Sequence, residues 1–400
     1  MVGIRYFTVL AVAVCGLIAP TSQHTYGNLT VQAVADSYII TLKDGVDDNR
    51  RNFHLSWVNK VHSNTSDKSK FTGVSQNYSY GAFRGYAGKF DQATIKAIKD
   101  SPEVSSVEPD QICSLNAVAT QPSAAWGLGA ISHRTPGFTQ YVYNDAAGSG
   151  TFAYVIDSGI NTGHVELSSR TLLGDNFAGG DHIDTLGHGT HVAGIIGSTT
   201  YGVAKLTSLV SVKVFSGSSA SMSVVLAGYA WAVNDIISKG RAEKSVINMS
   251  LGGSASTAWA SAIRAAYRAG ITTVVAAGNE AQNATNSSPA NVAEAITVGA
   301  IDNAWTIASY SNFGVAVDVF APGTYILSTW IDSNTSSIVL SGTSMAAPHV
   351  AGLVNYIQST ENVKKPSAVI ARIKSLSTPN KINGNLNGSP NLMAYNGVIR

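Results

Sequence analysis

The chain has 400 residues, with 26 Lys and Arg against 24 Asp and Glu and a formal net charge of +2 at pH 7. So small an excess offers no electrostatic footprint for nucleic acid or an anionic membrane, and neither is expected as a partner. A 44% hydrophobic composition with 38 glycines excludes a disordered chain and fits a loop-rich folded protein of one large and one smaller part.

Residues 1–5 are short and basic, 6–18 are apolar, and 19–22 are small and polar. That is the pattern of a secretory leader, read as residues 1–20, and no later apolar run is long enough to cross a bilayer. An exported, soluble, extracellular protein is expected. Of the two cysteines, Cys15 leaves with the leader and Cys113 is left without an intramolecular partner, so no internal disulfide and no cysteine-type zinc site are expected. Asn28, Asn64, Asn77, Asn283, Asn286 and Asn334 each open an Asn-x-Ser/Thr glycosylation signal. Asn248 does too, but it lies in an apolar strand-like run and is expected to stay unmodified.

Residues 37–43 alternate like a strand. Residues 47–63 are amphipathic, with Phe53, Trp57, Val58 and Val61 on one helical stripe. Residues 79–90 supply central strands, a short helix opens at Asp91 and stops before Pro102, and 103–111 form a last strand. The order is β-α-β-β-α-β, a small α+β, ferredoxin-like domain. Residues 111–125 lack periodicity and read as a linker. From Trp126 onward apolar strands alternate with amphipathic helices, which predicts a parallel sheet covered on both faces. Ligands then bind at the carboxyl ends of the strands.

Four residues sit at such positions. Asp157 ends the strand "YVID", His188 opens the helix "HGTHVAG", Asn279 follows the strand "TVVAAGN", and Ser344 lies at the start of "SMAAPHVAG". A helix beginning among small residues can present free N–H groups to an oxyanion, with Thr343 or Ser341 expected as its cap. Pro348 in the second turn removes a hydrogen bond that a purely structural helix would keep. The spacing of His188 and His191 suggests a zinc helix, but H-E-x-x-H needs Glu where Gly189 stands, so His191 and His349 read as structural. The order Asp, His, Ser is a known serine-protease order, and the esterase signature G-x-S-x-G is absent around Ser344.

The stretches "YVIDSGI", "GHGTHVAG", "AAGN" and "GTSMAAPHVAG" resemble the motifs of subtilisin-like serine proteases. "YGVAK", "NMSLGG" and "APGTYILSTW" narrow the resemblance to the proteinase K subgroup, and to subtilases secreted by dermatophyte fungi. It implies a subtilisin-like α/β peptidase domain over residues 117–400 and an inhibitory propeptide over 21–116, folded over 36–112. It implies a secreted, self-processing, monomeric serine endopeptidase that acts on extracellular proteins, keratin-rich tissue included, with its own propeptide as inhibitor.

By the same resemblance Ser344 is the nucleophile, His188 its base, Asp157 the orienting carboxylate, and Asn279 an oxyanion donor. Gly217, Ser250, Leu251 and Gly252 would line the substrate groove. Leu251, Ala276, Ala277 and Gly278 would form the pocket for the residue before the scissile bond; with no acid among them, apolar side chains are favoured. Catalysis would need no cofactor, while a structural calcium is implied at the Asp318 carboxylate and the carbonyls of Ala293 and Ala295. The sequence departs from the subgroup at Val192, where a cysteine is frequent, and no Asp or Glu follows Glu361 to build a second metal site. A catalytically dead relative that binds proteins through the same groove is the alternative.

Overall fold

The computed structural model describes residues 33–111 and 118–398. The leader, both cysteines, Asn28 and the expected processing point at Ala117 lie outside the described residues. The chain divides into two compact units, the first described to Gln111 and the second from Val118.

In the first unit, Asp47 and Asp91 act as N-caps, their carboxylates accepting the N–H groups of Arg50 and Thr94 at 2.8 Å. The helices they open are α1 (Asp48–His62) and α2 (Gln92–Lys99). The strands β1 (Ala33–Leu42), β2 (Gly73–Tyr80), β3 (Phe83–Lys89) and β4 (Val104–Gln111) form an antiparallel sheet in the order β2-β3-β1-β4. This is the expected split βαβ arrangement, closed over Ile40, Val58, Tyr86, Phe90 and Ile98.

The buried face of α1 differs from the expected stripe. Phe53 is 81% exposed and Trp57 37%, while His54 and Val58 point inward. The helix can turn this way because the His54 ring is satisfied in the core: its Nε2 meets the Tyr86 hydroxyl at 3.0 Å and its Nδ1 meets Ser101 Oγ at 3.3 Å.

The second unit starts with β5 (Val118–Gln121), helix α3 (Trp126–Ser132) and β6 (Tyr141–Asn144), with β5 paired to β6. Its centre is a sheet of β7 (Phe152–Asp157), β8 (Thr171–Asn176), β9 (Ser208–Lys213), β10 (Ser245–Met249), β12 (Thr272–Ala276), β14 (Ile296–Ile301), β15 (Val319–Pro322), β18 (Thr378–Pro379) and β19 (Leu392–Met393). Two short ladders flank it: β11 (Gly253–Ser254) with β13 (Ser287–Ser288), and β16 (Ile326–Thr329) with β17 (Ser337–Leu340).

The central order is β18-β19-β15-β14-β12-β10-β7-β9-β8, parallel except where β18 meets β19. Alternation along each strand feeds two cores. Ala153 and Val155 of β7 face α4 (His188–Gly197), α7 (Thr343–Thr360) and α8 (Pro366–Leu376). Tyr154 and Ile156 face α5 (Met222–Ser238) and α6 (Thr257–Arg268). After β7 the chain builds β8 and β9 on one side, then crosses to build β10 and its successors on the other. The carboxyl ends of β7 and β10 therefore border a topological switch point, where a crevice opens.

Candidate active site

Asp157 is the last residue of β7 and is 2% exposed. One carboxylate oxygen accepts the Ser158 N–H at 2.8 Å, and the two oxygens lie 2.8 and 3.0 Å from Nδ1 of His188. Gly187 delivers that histidine in a left-handed conformation, φ +83°, against the Trp330 ring, where a Cβ would come within 2.5 Å of the ring. Burial alone would lower the His188 pKa. The Asp157 carboxylate, helped by Asp184, outweighs burial and holds it above the ordinary imidazole value.

Ser344 is the second residue of α7. Neither expected cap is used: Gly342 occupies the N-cap position, the Ser341 hydroxyl accepts the Tyr325 N–H, and Thr343 turns to Asn279. The Thr343 N–H and hydroxyl both donate to Asn279 Oδ1 at 2.8 Å. With its oxygen so held, Asn279 lines the smaller of two cavities at the crevice. The Ser344 hydroxyl donates to the Ser250 carbonyl at 3.2 Å, and the Ser250 hydroxyl donates to the Ser344 carbonyl at 2.8 Å.

Two cavities share the wall of residues 251–254. One, about 1040 Å³, is lined by Asp157, His188, Gly217, Ser250, Leu251 and Gly252 among others. The other, about 600 Å³, contains Ala276, Ala277, Gly278, Asn279 and Ser344. All seven expected groove and pocket residues thus line one of the two. Outside the four expected pocket positions, Glu280 also lines the smaller cavity, its carboxylate accepting Asn312 Nδ2 at 2.7 Å. Asn312 is fully buried and organises this loop, donating to the Ala277 carbonyl and accepting the N–H groups of Glu280 and Gln282. Gly278 is required there, at φ +105°, because a Cβ would lie 2.2 Å from Asn312 Nδ2.

Motif reading also missed Asp184, a buried carboxylate behind His188. It accepts from the Ser158 hydroxyl, the N–H groups of Leu186, Gly187 and Thr190, and the Thr190 hydroxyl. It thereby ties the start of α4 to the end of β7. Lys213 is 3% exposed and donates to the carbonyls of Ser158 and Phe215 at 2.6 and 2.7 Å; burial lowers its pKa, against the pull of Asp184 and Asp157.

The expected calcium does not fit its donor set. One oxygen of Asp318 is ion-paired with Lys374 at 2.6 Å and the other accepts the Thr297 N–H at 2.9 Å. A cation already stands on the single carboxylate that Ala293 and Ala295 would assist. Among the described residues no group of three or more His, Cys, Asp or Glu side chains could hold a metal ion, and no helix is long and apolar enough to cross a membrane. Asn64, Asn77, Asn283, Asn286 and Asn334 are exposed, whereas Asn248 is fully buried.

The profile of the subtilase family matches residues 148–389, and that of the peptidase inhibitor I9 family matches residues 37–116. The chain is 48% identical to an alkaline proteinase of Hapsidospora chrysogena over 99% of both chains. It is 49% identical to alkaline protease 1 of Aspergillus clavatus, covering 96% of this chain and 95% of that one. It is 41% identical to subtilisin-like protease 2 of Arthroderma otae, over 96% and 94% of the two chains. The crystal structure of a cold adapted subtilisin-like serine proteinase matches at 39% identity and a TM-score of 0.63, over 68% of this chain and 98% of that one.

Proposed function

The chain belongs to the subtilase family and is a serine endopeptidase carrying an I9-type inhibitor segment, and we propose that it cleaves peptide bonds through Asp157, His188 and Ser344. The observation that carries this reading is the Asp157–His188 contact of 2.8 Å at the switch-point crevice, with the Ser344 hydroxyl bonded to Ser250, which lines the same cavity as His188. A serine hydroxyl attacks a carbonyl well only if its proton leaves during the attack. Ser344 releases its hydrogen bond to Ser250, His188 takes the proton at Nε2, and Asp157 keeps Nδ1 protonated and stabilises the imidazolium without taking the proton itself. The Asn279 NH₂ and the Ser344 N–H receive the oxyanion, and His188 then returns the proton to the leaving amine.

An extended substrate lies along Gly217 on one side and Ser250, Leu251 and Gly252 on the other, its backbone supplying affinity. Ala276, Ala277, Gly278 and Leu251 receive an apolar side chain before the scissile bond, with Glu280 adding a negative charge to the wall. Residues 1–20 serve as secretory leader, 21–116 as inhibitory propeptide and 117–400 as a monomeric peptidase domain. Extracellular protein is the proposed substrate class, with keratin-rich tissue suggested by the resemblance to dermatophyte subtilases. The exposed sequons fit export.

The test compares the parent with Ser344→Ala and His188→Ala on a denatured protein substrate. Both variants should lose nearly all hydrolysis while keeping the fold, and Ser344→Ala should accumulate as an unsplit precursor. Asn279→Ala should lower kcat by about 10²–10³-fold, the range measured for the matching donor of subtilisin. Turnover by Ser344→Ala within a few-fold of the parent would sink the reading. A parent chain that binds denatured protein without releasing peptides would instead support a catalytically dead relative.

A further inference from the structure

We propose that Lys374 is a built-in cation that replaces a bound divalent metal at the corner formed by Asp318 and residues 293–295. The corner has the rigid frame that metal ligands need. Asp318 sits between Val317 and Val319, which are 2% and 0% exposed, and its N–H is held by the Thr297 carbonyl. Lys374 lies in the last turn of α8, whose Val369 and Ile373 are buried in the core. A cation near a helix C-terminus is favoured by the carbonyl dipoles there.

The ammonium takes one oxygen of Asp318 at 2.6 Å and the Thr297 N–H takes the other at 2.9 Å. Calcium wants six to eight oxygen ligands and bonds at 2.3–2.6 Å. A calcium ion on the same oxygen would stand within a few ångströms of a positive charge and would have no uncompensated negative charge to draw it. The other acidic side chain of this corner is also spent: Glu294, between the two candidate carbonyls, is paired with Arg264 at 2.8 Å. The fold thus carries its positive charge covalently, on a side chain that chelators cannot remove. This inference concerns stability and does not depend on the proteolytic reading.

The experiment uses the full chain carrying Ser344→Ala, so that self-digestion does not blur melting. Thermal unfolding is followed in chelator and in excess calcium, in four forms: Lys374 intact, Lys374→Met, Asp318→Asn, and the Lys374→Met/Asp318→Asn pair. The quantity read is the part of the calcium response that Asp318→Asn abolishes. With Lys374 intact that part should be zero. With Lys374→Met, Tm should fall in chelator and recover with calcium, and Asp318→Asn should remove the recovery. Lys374→Gln and equilibrium dialysis of calcium provide a second variant and a second readout. An Asp318-dependent calcium response with Lys374 intact, or none in either Lys374 variant, would overturn the proposal.

Discussion

Ser250 holds the backbone carbonyl of Ser344 through a hydrogen bond of 2.8 Å that the helix itself cannot make. In an unbroken helix that carbonyl would accept the N–H of the residue four positions later. That residue is Pro348, which has none. The proline therefore orphans the carbonyl of the candidate nucleophile, and a hydroxyl from the neighbouring strand end, itself held by Asn248 Nδ2 at 3.0 Å, satisfies it. The wall of the crevice and the candidate nucleophile are fastened together at this point.

Ser250→Ala should accordingly leave a partly buried carbonyl without its protein partner, at a cost of about 1 kcal/mol in stability. Peptide hydrolysis should fall mainly in kcat, since the Ser250 carbonyl remains in the groove. In a Pro348→Ala background the new N–H can take the carbonyl, so Ser250→Ala should cost much less there. A double-mutant cycle on stability and kcat measures this; strictly additive effects would refute the link.

The second prediction concerns pH. The Asp157 carboxylate, with Asp184 behind it, holds the His188 pKa above the ordinary value against the effect of burial. General-base action needs the neutral ring, so kcat/KM should rise with pH through an apparent pKa above about 6.5. Asp184→Asn keeps a hydrogen-bonding side chain but removes a negative charge, and should move this limb to lower pH. Lys213 is the buried positive charge nearby, and Lys213→Met should move it upward. A profile unmoved by either change would show that the two residues support the fold without setting the base.

The order of Asp157, His188, Asn279 and Ser344 was legible because each stands where a strand ends or a helix starts, and such boundaries have residue-type signatures. The ferredoxin-like unit was legible through the helix start at Asp91, the amphipathic run of residues 47–63 and the strand alternation of residues 37–43. Asp184 was not, because its role comes from five donors gathered by a loop whose path no local pattern specifies. Asn312 and Glu280 escaped for a related reason: the loop after β12 folds back on Asn312, 35 positions from Ala277. The stripe on α1 misled because periodicity ranks Phe53 above His54, whereas hydrogen bonds to Tyr86 and Ser101 make the histidine the buried member. Asp318 invited a metal because its partner, Lys374, comes from a helix 56 positions later.

The last prediction rests on His191 and His349, which are 0% and 2% exposed. His191 Nε2 lies 3.1 Å from two carbonyls, those of Ile326 and Ile338, so it carries the proton. Its Nδ1 is buried without a partner among the described residues, and a proton added there would find no acceptor. His349 Nδ1 donates to the Met345 carbonyl at 2.8 Å. Burial lowers both pKa values to about 4, against about 6.5 in an unfolded chain. Between those values the unfolded chain takes up protons that the native fold refuses. Stability is therefore intact above about pH 6.5 and falls toward pH 4, by up to roughly 1.4 kcal/mol per pH unit for each histidine. His54 and His182, whose pKa values burial also lowers, push the same way, and His188 pushes the opposite way. Calorimetric unfolding of the Ser344→Ala chain at pH 5, in buffers of different ionisation heat, reads the net proton uptake directly. His349→Asn should reduce that uptake by about one proton. An uptake that this change leaves untouched would mean that His349 titrates as freely in the native protein as in the unfolded chain.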